Sequence, residues 1–373
     1  MKRILKILLF IVVTLIAFFS LTVGVSAFEE NIDSYKEEFD FQSIADAIDD
    51  ETVGILAEIG IDEISAEKLY SVNVEKVFTV LFDITKRSFT EPLKFLVSAT
   101  GILILTTLFS TFFNSSQTIV VLGSAVLALS VAIPMVNAVT TAFSVLETLN
   151  IFTTAFAGVF AMVVSASGKV ALGTSYASLA VLSDTLFSSL LTGVSQPAIN
   201  AMCSLGFLSC FDLYKFSEKI SSMAKKIYIS FLGLVSTFFS GIVTLKGVMG
   251  AGVDSLTSRG IRFVVGRTVP IVGGTVSDTY AALVSSLSLI KSTVGIFGIV
   301  TVILTVLPSL LELMGWVLAL SIVISVSELL SATNCIGMFN VFKDALTLLC
   351  VTTVFSAVIF IVSVGVVIFV KGV

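Results

Sequence analysis

From Leu93 to Val370 the chain alternates apolar blocks of 15 to 26 residues with short polar breaks. A helix needs about 20 mostly apolar residues to cross a bilayer. The blocks predict ten candidate crossings, at 93–113, 118–143, 150–168, 171–194, 197–211, 230–249, 271–290, 293–313, 316–332 and 348–370. The first begins at Thr90-Glu91-Pro92, read as a helix start with proline in its first turn. Pro134 predicts a kink in the second. The fifth, at 197–211, is short enough to be a half-span. Two breaks are longer than turns. Residues 212–229 carry Lys215, Lys219, Lys225 and Lys226 against Asp212 and Glu218, the pattern of a basic amphipathic surface helix. Residues 250–274 interrupt the body with Asp254, Arg259, Arg262, Arg267, Pro270 and the pair Gly273-Gly274, and Asp278 follows inside the next block. A broken, charged segment inside a membrane protein is a first place to look for function.

The stretch ahead of the body has a different pattern. Lys2, Arg3 and Lys6 precede an apolar run at 7–23 and the small-residue site Val25-Ser26-Ala27, which reads as a secretory signal over 1–27. The run is long for a signal, so an uncleaved first membrane helix is the alternative; either places residue 28 onward outside the cytoplasm. Residues 28–92 read as a small extracytoplasmic helical region. One helix is expected over 41–59, closed by Gly60 as a C-terminal cap, and a second over 65–70. A third, over 74–89, has Val74, Val77, Phe78, Leu81 and Ile84 on one face. It is expected to lie on the membrane surface or to pack on its neighbours.

Composition settles the class. Of 373 residues, 56% are hydrophobic and 13% charged, with mean hydropathy +1.08; a soluble domain has roughly 25% charged residues. The fold class is therefore all-α, a polytopic α-helical membrane protein of about eight to ten spans over 93–373. Charge is divided unevenly. Residues 28–92 hold 17 acidic and 5 basic residues, net −12, while 93–373 hold 9 acidic and 13 basic, net +4. The positive-inside preference puts the 212–229 helix in the cytoplasm. Ten full crossings then leave Arg259, Arg262 and Arg267 outside, against that preference. If 230–249 instead dipped in and returned, they would face the cytoplasm.

The chain lacks the side chains of most catalysis. There is no His, which removes the commonest general base and neutral metal ligand. No G-x-S-x-G elbow, phosphate-binding loop or Gly-x-Gly-Asp context occurs. Cys203, Cys210, Cys335 and Cys350 have no metal or redox spacing and read as buried thiols. No enzyme, cofactor, metal or nucleic-acid partner is expected. Carboxylates in apolar sequence, at Asp184, Asp278, Glu312 and Glu328, either couple ions, pair with Arg or Lys, or line a subunit interface; Arg267 and Asp278 are one candidate pair. Ser183-Asp184-Thr185 and Ser277-Asp278-Thr279 each accompany a Tyr-Ala-x-Leu run. That similarity is either a trace of duplicated transporter halves or chance in sequence of low complexity.

The run Thr257-Ser258-Arg259-Gly260-Ile261-Arg262-Phe263, followed by Val269-Pro270-Ile271-Val272-Gly273-Gly274 and Ser277-Asp278, resembles the most recognisable segment of the stage III sporulation protein AE family. The order of signal, acidic head and polytopic body resembles that family over the whole chain. The resemblance implies a subunit of the transport or channel complex between mother cell and forespore. Its partners there would be a secretion-type ATPase, other small membrane subunits and ring-forming proteins, in the mother-cell membrane facing the forespore. It implies no catalytic residues. Arg259, Arg262, Arg267, Pro270, Gly273, Gly274 and Asp278 become candidate hinge or partner-contact residues. The other reading is a stand-alone ion-coupled secondary transporter using Asp184 and Asp278.

Overall fold

The computed structural model describes residues 39–112, 117–209, 214–268, 273–330 and 336–369. The leader, residues 28–38, Pro270 and Lys371 lie outside them. The described residues form ten α-helices. Three are short: α1 (Phe41–Asp46), α2 (Asp50–Ile59) and α3 (Ala66–Tyr70). Seven follow: α4 (Val74–Phe112), α5 (Gln117–Ala166), α6 (Val170–Leu190), α7 (Gln196–Leu208), α8 (Tyr214–Thr268), α9 (Gly273–Leu329) and α10 (Ile336–Phe369). A π-helical turn, Leu191–Ser195, joins α6 to α7.

Six described helical stretches are long and apolar enough to cross a membrane, including α6, the π turn and α7 taken together. Fewer helices than expected blocks result from one cause. Blocks separated by a few polar residues are joined rather than turned back. The expected second and third spans are both in α5, and three expected spans run into α9. Polar residues such as Glu147 and Asn150 do not break a helix whose other residues form one readily; they turn outward or find partners. The expected start at Pro92 is likewise interior to α4. Residues 230–249 do not dip and return, because α8 passes straight through them. The basic residues at 215–226 and those at 259–267 therefore lie at opposite ends of one helix.

The head follows local rules. Asp49 caps α2 through its side chain, accepting from the Thr52 amide, and splits the expected 41–59 helix in two. Gly60 closes α2 at φ +92°. The head is not a detached body. Ile44, Ile55, Leu56 and Ile59 are buried in the same apolar core as Phe152, Phe156 and Phe160 of α5 and Val300 and Leu304 of α9. The Thr52 hydroxyl meets that of Thr305 at 3.2 Å. The amphipathic start of α4 packs on this core through Val80 and Ile84, leaving Phe78 and Phe82 outside. A second core occupies the other ends of the long helices, with Leu103, Val131, Trp316 and Phe342 among its members. Helix α9 runs through both, and 83% of its most apolar window is buried, against 22% for α4 and for α8.

Candidate functional site

Three polar contacts join α6 and the π turn to α8, which runs antiparallel to the chain from 171 to 195. Asp254 meets residues 171 and 172, Lys246 meets Ser178, and Tyr228 meets Ser195. Paired numbers sum to nearly the same value along the contact, as an antiparallel register requires. The α8 seam is narrow. Tyr228, Leu232, Phe239, Val243, Gly250 and Asp254 are buried, at alternating four- and seven-residue steps that keep side chains on one helix face.

The N-terminus of α6 is a junction. Helix α5 ends near Gly168, which takes φ +77° to let the chain turn. Lys169 then precedes α6 without a side-chain cap. A helix start leaves four amide N–H groups without internal partners. Two of them, on Ala171 and Leu172, donate to the two carboxylate oxygens of Asp254 at 2.9 and 2.8 Å. Asp254 is 6% exposed, and its charge meets the positive end of the α6 dipole. Gly250 makes the approach possible: a Cβ there would lie 3.1 Å from the Leu172 Cα and 3.3 Å from the Ala171 carbonyl oxygen. Within α9, Lys291 is 2% exposed and donates to the Val367 carbonyl at 3.2 Å. That carbonyl is in the last turn of α10, where a cation is favoured. Asp254 and Lys291 thus each close the end of another helix, which is how two charges are accommodated inside the bundle.

Midway along α6, Asp184 accepts from the Thr154 hydroxyl of α5 at 3.3 Å. One turn away the Asn150 amide donates to Ser188 at 3.4 Å. A crevice beside them is lined by Asn150, Thr153, Ser183, Asp184, Phe360 and Ser356. The described partner of Asp184 is therefore a hydroxyl rather than the expected Arg or Lys. Glu312 likewise accepts from the Trp316 indole at 3.4 Å, and Glu328 is exposed.

The third contact is at the π turn. Pro197 has no N–H and its ring crowds the carbonyl four residues earlier. The chain widens there, and the Gln196 amide reaches back five residues to Leu191. Ser195 is fully buried; its hydroxyl bonds the Leu190 carbonyl at 2.8 Å and also meets the Tyr228 hydroxyl. Tyr228 continues to Thr352 of α10 at 2.7 Å. One turn before Tyr228, Lys225 pairs with Asp344 at 2.6 Å, so the basic start of α8 is tied to α10.

Of the candidate hinge, partner-contact and coupling residues, Asp184 is the one whose side-chain surroundings are described. Arg259, Arg262 and Arg267 lie within the last part of α8, and Gly273, Gly274 and Asp278 open α9. Their side-chain surroundings, an Arg267–Asp278 pair included, lie outside the described residues. The segment 250–268 is helical; one described helix ends at Thr268 and the next starts at Gly273. Asp254 was visible as a charge in the sequence, but nothing local revealed which distant helix end it would meet, and Lys291 drew no notice. Among the described residues no group of three or more His, Cys, Asp or Glu could hold a metal ion.

Six membrane-length helices, an all-helical body and charges spent on helix ends rather than on a catalytic cluster define a polytopic helical membrane protein. Within that class, the profile of the stage III sporulation protein AE family matches residues 60–371. The chain belongs to the stage III sporulation protein AE family, and membership implies a role in sporulation. A relative, stage III sporulation protein AE of Bacillus subtilis (strain 168), is 28% identical over 115 residues. That match covers 31% of this chain and 29% of the relative's length. No solved structure matches.

Proposed function

We propose that the protein is a membrane subunit of the sporulation channel or transport complex that links mother cell and forespore and is needed for forespore development. The observation that carries this reading is the family match from residue 60 to residue 371, which takes in every membrane-length helix and the charged stretch together. On this reading the protein lies in the mother-cell membrane facing the forespore, after a signal peptide at 1–27. The acidic head is outside the cytoplasm, in reach of ring-forming subunits. The basic start of α8, braced by Lys225–Asp344, faces the cytoplasm and a secretion-type ATPase. The segment 257–278 is a hinge or partner contact, and no step of catalysis is assigned. Deleting the gene in the spore-forming host is expected to block sporulation after engulfment and silence late forespore gene expression. Normal spores and normal expression overturn the proposal.

The crevice at Asp184 favours a second reading, an ion-coupled secondary transporter acting alone. It requires purified protein in proteoliposomes to take up a solute, with uptake lost in Asp184→Asn or Asp278→Asn.

A further inference from the structure

At the crevice between α5, α6 and α10 a negative charge stands without a described counter-charge. The Asp184 carboxylate is half-buried well inside α6. Its described partner is the Thr154 hydroxyl at 3.3 Å, and that hydroxyl also donates to the Asn150 carbonyl at 2.9 Å. Among the described residues no lysine or arginine pairs with Asp184. Lys246, across the seam, donates instead to Ser178, almost two turns away along α6. A carboxylate in an apolar helix is costly to leave in that condition, and such groups mark the places where ions bind.

The hydroxyls that line the crevice have their protons committed elsewhere. Thr153 of α5 donates to the Leu149 carbonyl, Ser183 of α6 to the Leu179 carbonyl at 2.8 Å, and Ser356 of α10 to the Thr352 carbonyl at 2.9 Å. A hydroxyl has one proton and two lone pairs, so these three have only lone pairs left for an occupant. Three helices thus bring oxygen acceptors and one negative charge to the same crevice, a set that repels an anion and suits a hard cation. No second Asp or Glu lines it, so the charge there balances one positive charge and not two. The room is about 20 Å³, enough for one water-sized occupant and too little for an organic ammonium ion. Most of the remaining wall is carbon, from Leu149, Phe187, Ile359 and Phe360, and weakly polar surroundings strengthen the attraction between an ion and a carboxylate.

We propose that this crevice binds one alkali cation, sodium or potassium, on the Asp184 carboxylate, with the oxygens of Thr153, Ser183 and Ser356 among its ligands. The inference rests on the crevice behind the transporter reading above and names the ion which that reading leaves open. Binding is measured without uptake, so either can fail alone.

The test uses the full chain purified in detergent, with choline chloride exchanged for sodium or potassium chloride at constant ionic strength. The unfolding midpoint is expected to rise with at least one of the two alkali ions and then to level off, as binding to the folded state alone requires. No rise above choline with either ion overturns the site. Asp184→Asn is expected to weaken the response at least about tenfold in ion concentration, because the occupant then meets no opposite charge. Ser356→Ala is expected to weaken it to a smaller extent, and Glu328→Gln, at an exposed position of α9, to respond as the unaltered chain does. An undiminished response in Asp184→Asn or, where that variant does not fold, in Ser356→Ala places the ion elsewhere and overturns the assignment. On the unaltered chain, the stabilising ion is expected to slow amidation of Asp184 by a carbodiimide and an amine; equal rates in choline and in the alkali salt overturn the site without any variant having to fold. Ion binding with no solute uptake in proteoliposomes supports the site and counts against the transporter, and uptake with no binding of either ion does the reverse.

Discussion

Helices α6–α7 and α8 lie against each other in antiparallel register; both expose hydroxyls, but their outer sides differ in the large apolar side chains they leave exposed. On α6–α7 the apolar side chains are turned into the bundle and hydroxyls, an amide and the edge of Asp184 are left outside. On α8 the buried seam is a few residues wide, and Phe231, Phe238, Leu245 and Met249 are left outside. Both stretches are apolar enough on average to be membrane spans. Mean hydropathy therefore does not say which side of a helix meets lipid. What distinguishes them is where each side chain falls around the helix, and what the neighbouring helices cover.

The seam that holds the two together offers the largest test. Asp254→Ala removes the acceptor of two buried amides, each costing about 1–3 kcal/mol when unpaired, so a loss of about 4 kcal/mol is expected. It is read as a lowered unfolding midpoint of the purified protein, with Asp254→Asn intermediate. An unchanged midpoint would mean that α6 and α8 are not joined by this cap. The outer sides are compared most directly by placing the same charge on each. Phe238→Lys on α8 is expected to cost about 3 kcal/mol, the penalty for lysine at the centre of a lipid-facing span. Thr185→Lys on α6 is expected to cost under about 1 kcal/mol. Insertion efficiency and denaturant midpoints in lipid measure both, and equal penalties would erase the contrast.

Smaller effects sharpen the seam's geometry. Gly250→Val forces side-chain atoms toward the Leu172 backbone and is expected to cost about 2 kcal/mol as overpacking, seen in the same midpoint. Tyr228→Phe removes the hydroxyl that joins Ser195 to Thr352 and is expected to cost about 1 kcal/mol; a neutral result would show the π turn held by packing alone. The least effect lies in the head. The Asp62 carboxyl is held below its ordinary value chiefly by its hydrogen bond with Lys68, whose own value is raised by that partner. Asp62 therefore contributes above the ordinary carboxylate range and loses its contribution as pH falls through its lowered value. Both side chains are exposed, and exposed pairs contribute little. Asp62→Asn is expected to leave the pH profile of unfolding unchanged within error, and a clear acid shift would contradict that.

Much of the fold was legible in the chain. The helical head with Gly60 as a cap, the membrane class and the family segment all rest on local pattern. Which apolar blocks join into one helix was not, because a polar break such as Glu147 to Asn150 looks alike whether the chain turns there or runs on. Of the candidate site, Asp184 was found because a carboxylate stands out in apolar sequence. The hydroxyl that meets it, Thr154, is one of many Thr and Ser in the body and carries no signal of its own. Asp254 and Lys291 were visible as charges, yet their partners are backbone groups 83 and 76 residues away along the chain, and backbone groups leave no mark in a sequence.

The sequence by itself determined that this is a helical membrane protein with an acidic head, because hydrophobic transfer depends on which residues are present and at what local spacing. Only the tertiary structure decided that α8 runs unbroken past Gly250, that Asp254 closes α6, and that α6–α7 keeps its polar side outward. Those outcomes depend on which helix lies beside which, and burial and hydrogen bonding are shared between segments far apart in the chain.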